Sequence, residues 1–227
     1  MKPSHIMSFW STEHSLSALL ALLVIQSFIV APLSAGHHVI PELSDILFSL
    51  ILLAGLLTIT KRRITKLLSQ LFVATTIGLH WALFFAPSRT LLLTDRVFTL
   101  IFAIALTAFV LHEVYRSGAV TAHRIRGSIA AYLLLGYVFS VAYGLLDLII
   151  PGALSINPLL DQPGANQADI FMYFSIVTLT TIGFGDVTAV HPMARSLVML
   201  EGLIGTLYPA VLIARLVSLQ IAGSREK

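Results

Sequence analysis

Apolar residues run along this chain in long blocks, and polar residues fall in short clusters between them. Six blocks, near 15–35, 43–60, 67–86, 97–114, 128–150 and 194–218, are long enough to cross a bilayer as helices, which takes roughly 17 to 25 residues each. A seventh apolar stretch, from Asp169 to about Thr180, is too short to span and reads as a re-entrant helix. The pattern predicts an all-α membrane protein with six transmembrane helices and one re-entrant helix. Directly after that short helix comes "TLTTIGFGDVT", residues 178 to 188, where two glycines and two threonines interrupt the apolar chain.

Composition agrees with the membrane setting. Hydrophobic residues make up 57% of the 227, charged residues only 11%, and the mean hydropathy is +0.91. That is more apolar surface than a globular domain of this length buries. The chain has no cysteine, which excludes disulfides and thiolate metal sites. Its net charge of +3 does not point to nucleic acid, because the basic residues lie in short inter-helix clusters and are not interleaved with aromatics.

Those clusters orient the chain. Lys61, Arg62, Arg63 and Lys66 follow the second block, Arg116, Arg124 and Arg126 follow the fourth, and Arg215, Arg225 and Lys227 close the sequence. With an even number of spans and both termini cytoplasmic, all three clusters fall on the cytoplasmic side. Glu42, Asp45, Asp161 and Asp169 then face outward, with Arg89 and Arg96 as outer exceptions flanking Asp95. "APLSAGHH", residues 31 to 38, offers small residues at a conceivable signal-peptide cleavage point. The block before it is long for such a segment and only Lys2 precedes it as a strong charge, so the first block is retained as a span. The expected location is the cell membrane, as a multi-pass protein.

Non-helical backbone at membrane depth is tolerated only where it is buried in protein or lines a water-filled path. Gly183 and Gly185 can take positive φ at little steric cost, so successive carbonyls can be turned to one side. The oxygens of Thr181, Ile182, Gly183 and Phe184 would then replace the water shell of a bare cation, provided several copies surround one axis. One such segment per chain implies an oligomer.

"TTIGFGD" resembles the selectivity filter of potassium channels, whose signature is Thr-Val-Gly-Tyr-Gly-Asp, with Ile182 and Phe184 as substitutions that some members carry. The resemblance extends from Asp169 to Val217, through a pore helix "DIFMYFSIVTLT", the filter, and an inner helix "ARSLVMLEGLIGTLYPAVLIARLV". It implies four chains around one pore, with helix five packed outside helix six. It implies potassium ions at Thr181, Ile182, Gly183 and Phe184, with Gly185 completing the filter. It also implies filter support from Thr180 and from a hydrogen bond between Asp186 and a pore-helix aromatic, with Tyr173 at the position where the family often has tryptophan.

Glu201 is the costliest side chain of the last helix, and at membrane depth it faces protein or a cavity. Hydroxyls behind the filter, Ser175 or Thr178, are its expected partners. Gly202, Gly205 and Pro209 weaken the same helix and form a candidate gating hinge, with Gly205 foremost and Pro209 a second kink, the alternative being close packing against helix five. Gly78 and Gly136 are read as packing positions. His37 and His38 are adjacent and lack a carboxylate or cysteine to complete a metal shell, although histidines at the outer face could sense pH. His80, Trp81 and His112 read as interfacial or packing residues.

No nucleophile, base and orienting partner occur together, and no phosphate-cradling loop follows a strand. The expectation is therefore a non-enzymatic, homotetrameric, potassium-selective channel in the lipid bilayer. It has no cofactor beyond the permeant ion and no nucleic-acid partner. Residues 1 to 120 form a four-helix peripheral bundle and residues 121 to 227 the pore domain. Residues 97 to 111 hold no charge, so the fourth helix is not a voltage sensor. The short tail after the last block suggests a pore without an appended ligand-binding domain. The competing readings are a transporter, which in related families needs four degenerate filter copies in one chain, and a non-conducting or non-selective pore subunit or scaffold.

Overall fold

The computed structural model describes residues 15–30, 42–59, 63–116, 121–160 and 166–225. His37, His38, the cleavage stretch at 31 to 38, Lys61, Arg62, Asp161 and Lys227 lie outside the described residues. Helix α1 spans Ser15–Ile25 and runs into a π-helical turn, Gln26–Val30. It is followed by α2 (Glu42–Ile59), α3 (Arg63–Phe85), α4 (Arg89–Tyr115) and α5 (Ala122–Ile149). A short strand β1 (Leu154–Ile156), helix α6 (Gln167–Leu179), a second strand β2 (Val187–Ala189) and helix α7 (Pro192–Arg225) complete the chain. The protein is a mostly helical membrane protein.

Three helical segments among the described residues are long and apolar enough to cross a membrane: Arg89–Tyr115, His123–Ile149 and Pro192–Ser218. Leu16–Val30, Ile46–Gly55, Gln70–Phe85 and Gln167–Leu179 are shorter apolar helical stretches.

Side-chain caps fix several starts. Ser88 accepts from the Leu91 amide at 3.2 Å at the head of α4, and Thr121 accepts from the Arg124 amide at 3.4 Å at the head of α5. A hydroxyl there satisfies one of the orphan amides of the first turn. The Ser88 cap starts α4 at Arg89, eight residues ahead of the apolar block read from the sequence. The extra turns hold Asp95, which is 2% exposed and lies 3.6 Å from Nδ1 of His80 on α3. Hydropathy misses a helical turn whose polar residue faces another helix.

Helix α5 is the hub. α1, α4 and α6 all pack along it, and α7 touches both α5 and α6. One apolar cluster joins Leu16, Leu19 and Leu23 of α1 to Ile51 and Leu52 of α2, Val73 of α3, Phe102, Leu106 and Val110 of α4, and Leu134 of α5. A second gathers Phe139 and Tyr143 of α5 around Ile170, Phe171 and Phe174 of α6, with Val187 and Ala194. The first cluster seats α1 to α4 on α5, and the second seats α6. Of the two glycines read as packing positions, Gly136 lies against α6, where an added Cβ would stand 2.9 Å from Cδ1 of Ile176. At Gly78 an added Cβ would meet nothing within 4 Å.

Candidate ion-conduction site

Helix α6 begins where the Asn166 side chain accepts from the Ala168 amide at 3.0 Å, with Asp169 in the first turn. Both features suit a helix N-terminus. It ends at Leu179, and the chain then turns sharply. The Thr180 amide donates to the Ile176 carbonyl at 3.0 Å, the Thr181 amide to Thr178 at 2.9 Å and the Ile182 amide to Val177 at 2.9 Å. The Gly183 amide reaches the same Val177 oxygen at 3.4 Å.

These bonds orient the segment. In a planar trans peptide the N–H and the preceding C=O point in opposite directions, and the described residues contain no cis bond. Amides of Thr181, Ile182 and Gly183 that donate back to α6 therefore turn the carbonyls of Thr180, Thr181 and Ile182 away from it. Backbone handedness alternates in step: φ is +61° at Thr181, +59° at Gly183 and +79° at Gly185, and not positive at Ile182 or Phe184. Glycine takes such values freely. Threonine, being β-branched, is strained there, and strain of this kind gathers at functional sites. The sequence pointed to the glycines, but nothing in it signalled Thr181 as a third left-handed position. Residues 180 to 185 are all exposed in the single chain, Ile182 at 56% and Phe184 at 69%.

The C-terminal end of the segment is held from two sides. The Tyr173 hydroxyl donates to Oδ2 of Asp186 at 2.6 Å, and Oδ1 of the same carboxylate accepts from the Val187 amide at 3.0 Å. The Asp186 carbonyl accepts from the Asn157 amide at 2.9 Å. From there β2 pairs antiparallel with β1, placing Leu154 opposite Ala189 and Ile156 opposite Val187. This small sheet, which the apolar pattern did not reveal, fastens the returning chain to the end of α5. Thr180 sits at the N-terminal end, where its Oγ1 donates to the Ile176 carbonyl at 2.7 Å.

Behind α6 the structure brings three helices to one carboxyl group. Glu201 of α7 is fully buried, and its Oε2 accepts from the Tyr143 hydroxyl of α5 at 2.5 Å, while Oε1 touches the Ser175 hydroxyl of α6. Ser175 also donates to the Gly136 carbonyl of α5 at 2.6 Å. Sequence reasoning named Ser175 but missed Tyr143, whose phenol is one of several aromatics in an apolar helix and carries no motif. Thr178, the other hydroxyl considered, contributes its carbonyl to the turn instead.

Gly205 lies one turn further along α7, against the last carbonyl of α6. Gly202 faces open space, with nothing within 4 Å of an added Cβ. Pro209 lies inside a helix that continues to Arg225. Near it, the Tyr208 hydroxyl donates to the Ser128 carbonyl at 2.8 Å, and its ring stacks on Tyr132 at 5.7 Å. Arg215 donates to the Tyr115 carbonyl, and its guanidinium lies 5.3 Å from the Tyr115 ring. The C-terminal half of α7 is thus tied to α5 and to the end of α4.

A family model described as "Ion channel" matches residues 132–221, from within α5 to within α7 and less than half of the chain. No curated protein matches the chain significantly. The match supports an ion-channel family for the part of the chain that builds this site.

Proposed function

We propose that this protein is a potassium-selective channel in which four identical chains surround one pore. The observation that carries the reading is the turned-out backbone after α6. Amides of residues 181, 182 and 183 bond inward to α6, which turns the carbonyl oxygens of residues 180, 181 and 182 outward, where none accepts a bond among the described residues. Carbonyl rings of this kind replace an ion's hydration shell. The C-terminal end of α6, which carries partial negative charge, adjoins the same path and favours a cation.

A single segment cannot enclose an ion, and this argues for closed symmetry with identical loops around one axis. The surface of α7 supports that assembly. Only 11% of its most apolar window is buried within the chain, against 50% for the corresponding window of α5. Leu200, Leu203, Leu207 and Val211, each about half exposed, fall at spacings of three and four along it, so they share one helical face. In the proposed tetramer this face meets neighbouring chains and the central cavity. The six apolar blocks span the membrane with both termini in the cytoplasm. Residues 1 to 120 form the peripheral bundle and residues 121 to 227 the pore.

The decisive experiment is purified protein in a planar bilayer with unequal potassium and sodium. The reversal potential is expected to follow the potassium gradient. Equal permeability would identify a non-selective pore, and a silent bilayer a scaffold. Mass measurement in nanodiscs is expected to give four chains per particle, and a conducting sample containing only monomers or dimers would refute the tetramer.

A further inference from the structure

Three contacts between oxygens form a chain through Ser175. Its hydroxyl stands 2.6 Å from the Gly136 carbonyl oxygen and also touches Oε1 of Glu201, while Oε2 of Glu201 stands 2.5 Å from the Tyr143 hydroxyl. Two oxygens at such separations attract only when a proton lies between them. The three contacts therefore need three protons. The carbonyl of Gly136 has none, Tyr143 has one and Ser175 has one. Were Glu201 ionised, Ser175 would have to choose, and whichever acceptor it left would face a bare lone pair at contact distance.

We infer that Glu201 is a neutral carboxylic acid whose O–H donates to Ser175, which in turn donates to the Gly136 carbonyl, while Tyr143 donates to the acid's other oxygen. Every polar atom of the cluster is then satisfied. The surroundings agree with this count. Glu201 is 0% exposed, and the ion pairs among the described residues, His80 with Asp95 and Arg116 with Glu113, do not include it. From α5 the titratable groups near it are Tyr143 and Tyr132, the latter bonded to the Leu179 carbonyl at 3.1 Å, and from α6 it meets only the Ser175 hydroxyl. A desolvated carboxylate with no cation beside it is strongly disfavoured, whereas a hydrogen-bonded acid does not carry that penalty.

The acid is a positioning residue. It touches no ion path; it clasps α5 and α7 to α6 one turn before the chain enters the turned-out segment. The proton count holds whether or not the protein conducts, so its test does not depend on current.

Infrared spectra of the full chain in nanodiscs at neutral pH are to be compared between the wild type and Glu201→Gln. The wild type is expected to show a carbonyl-stretch band of a protonated carboxylic acid that Glu201→Gln lacks. The amide of glutamine can donate to Ser175 and accept from Tyr143, so Glu201→Gln is expected to melt close to the wild type, and Glu201→Ala well below both. An identical acid-band region in wild type and Glu201→Gln overturns the inference, as does Glu201→Gln melting no higher than Glu201→Ala. Should Glu201→Gln not accumulate, Ser175→Ala decides: the acid loses its acceptor and the band shifts, and a band that does not move refutes the relay.

Discussion

Gly205 lies so close to the backbone of Leu179 that a Cβ on it would overlap the carbonyl oxygen and stand 2.8 Å from the carbonyl carbon. Helix α7 therefore touches α6 at its last residue, directly before the turned-out segment, and only glycine permits the approach. A backbone neighbour cannot rotate aside as a side chain does. Overpacking usually costs about 1–3 kcal/mol, and Gly205→Ala is expected at or above the upper end. The measurable outcome is a large fall in melting temperature together with loss of current. Gly202→Ala, where an added Cβ meets nothing within the chain, is the matched control for stability and is expected to keep the melting temperature. Equal tolerance of the two substitutions would show that the contact does not govern this part of the helix.

At Gly185 the constraint is conformational. No atom lies within 4 Å of an added Cβ, but φ is +79°, where an L side chain costs about 1–2 kcal/mol. Gly152, in the turn after α5, has φ +77° and equally open surroundings. Alanine at either position is expected to cost similar stability, while only Gly185→Ala abolishes potassium selection or current. Loss of selectivity in Gly152→Ala to the same degree would mean that general strain, and not the filter, is being read.

The bond from Tyr173 to Asp186 joins the middle of α6 to the far end of the same segment. Hydrogen bonds to charged groups contribute about 1.5–3 kcal/mol, less where the site is open to solvent, and Tyr173 is 36% exposed. Tyr173→Phe is expected to leave assembly intact and to shorten the time for which the conducting state persists in bilayer recordings. Tyr173→Trp, which keeps a ring N–H donor, is expected to recover part of that time. Indistinguishable open lifetimes in the wild type and Tyr173→Phe would remove this bond from the account of filter support.

The sequence disclosed most clearly what depends on local chemistry. The short apolar stretch before "TTIGFGD" is helix α6, and Gly183 and Gly185 do take positive φ. Relationships between distant segments were less legible. Ser175 was a candidate partner of Glu201 because both belong to the pore segment, but Tyr143 lies fifty-eight residues away from Glu201 and could be found only from packing. The β1–β2 pairing escaped notice because three-residue strands leave no periodic signal. The start of α4 was missed because Asp95, turned inward toward His80, breaks the apolar block without breaking the helix. Gly205 is legible as a hinge or a packing position against helix five, and the backbone of α6 that makes its small size necessary is a tertiary contact with no local signal.

Helix α4 bears on gating by voltage. Moving one elementary charge across the membrane is worth about 2.3 kcal/mol per 100 mV, and steep opening needs several such charges in each of four subunits. Residues 97 to 111 of α4 contain none. Its flanking charges stand at the two ends: Asp95 is buried beside His80 with Arg96 next to it, and Arg116 lies 3.6 Å from Glu113, one turn back on the same helix. Moreover, α4 packs along α5, and its buried residues Phe102, Leu106 and Val110 sit in the cluster that also holds Leu134. Sliding α4 through the field would break that packing, and its uncharged stretch would carry no charge across in return. Open probability is therefore expected to be nearly flat against voltage in symmetric potassium, with any shallow residual slope changing when another permeant ion replaces potassium. A steep curve equivalent to several gating charges and indifferent to the permeant ion would require a moving charge in the chain and would overturn the reading that α4 is not a voltage sensor.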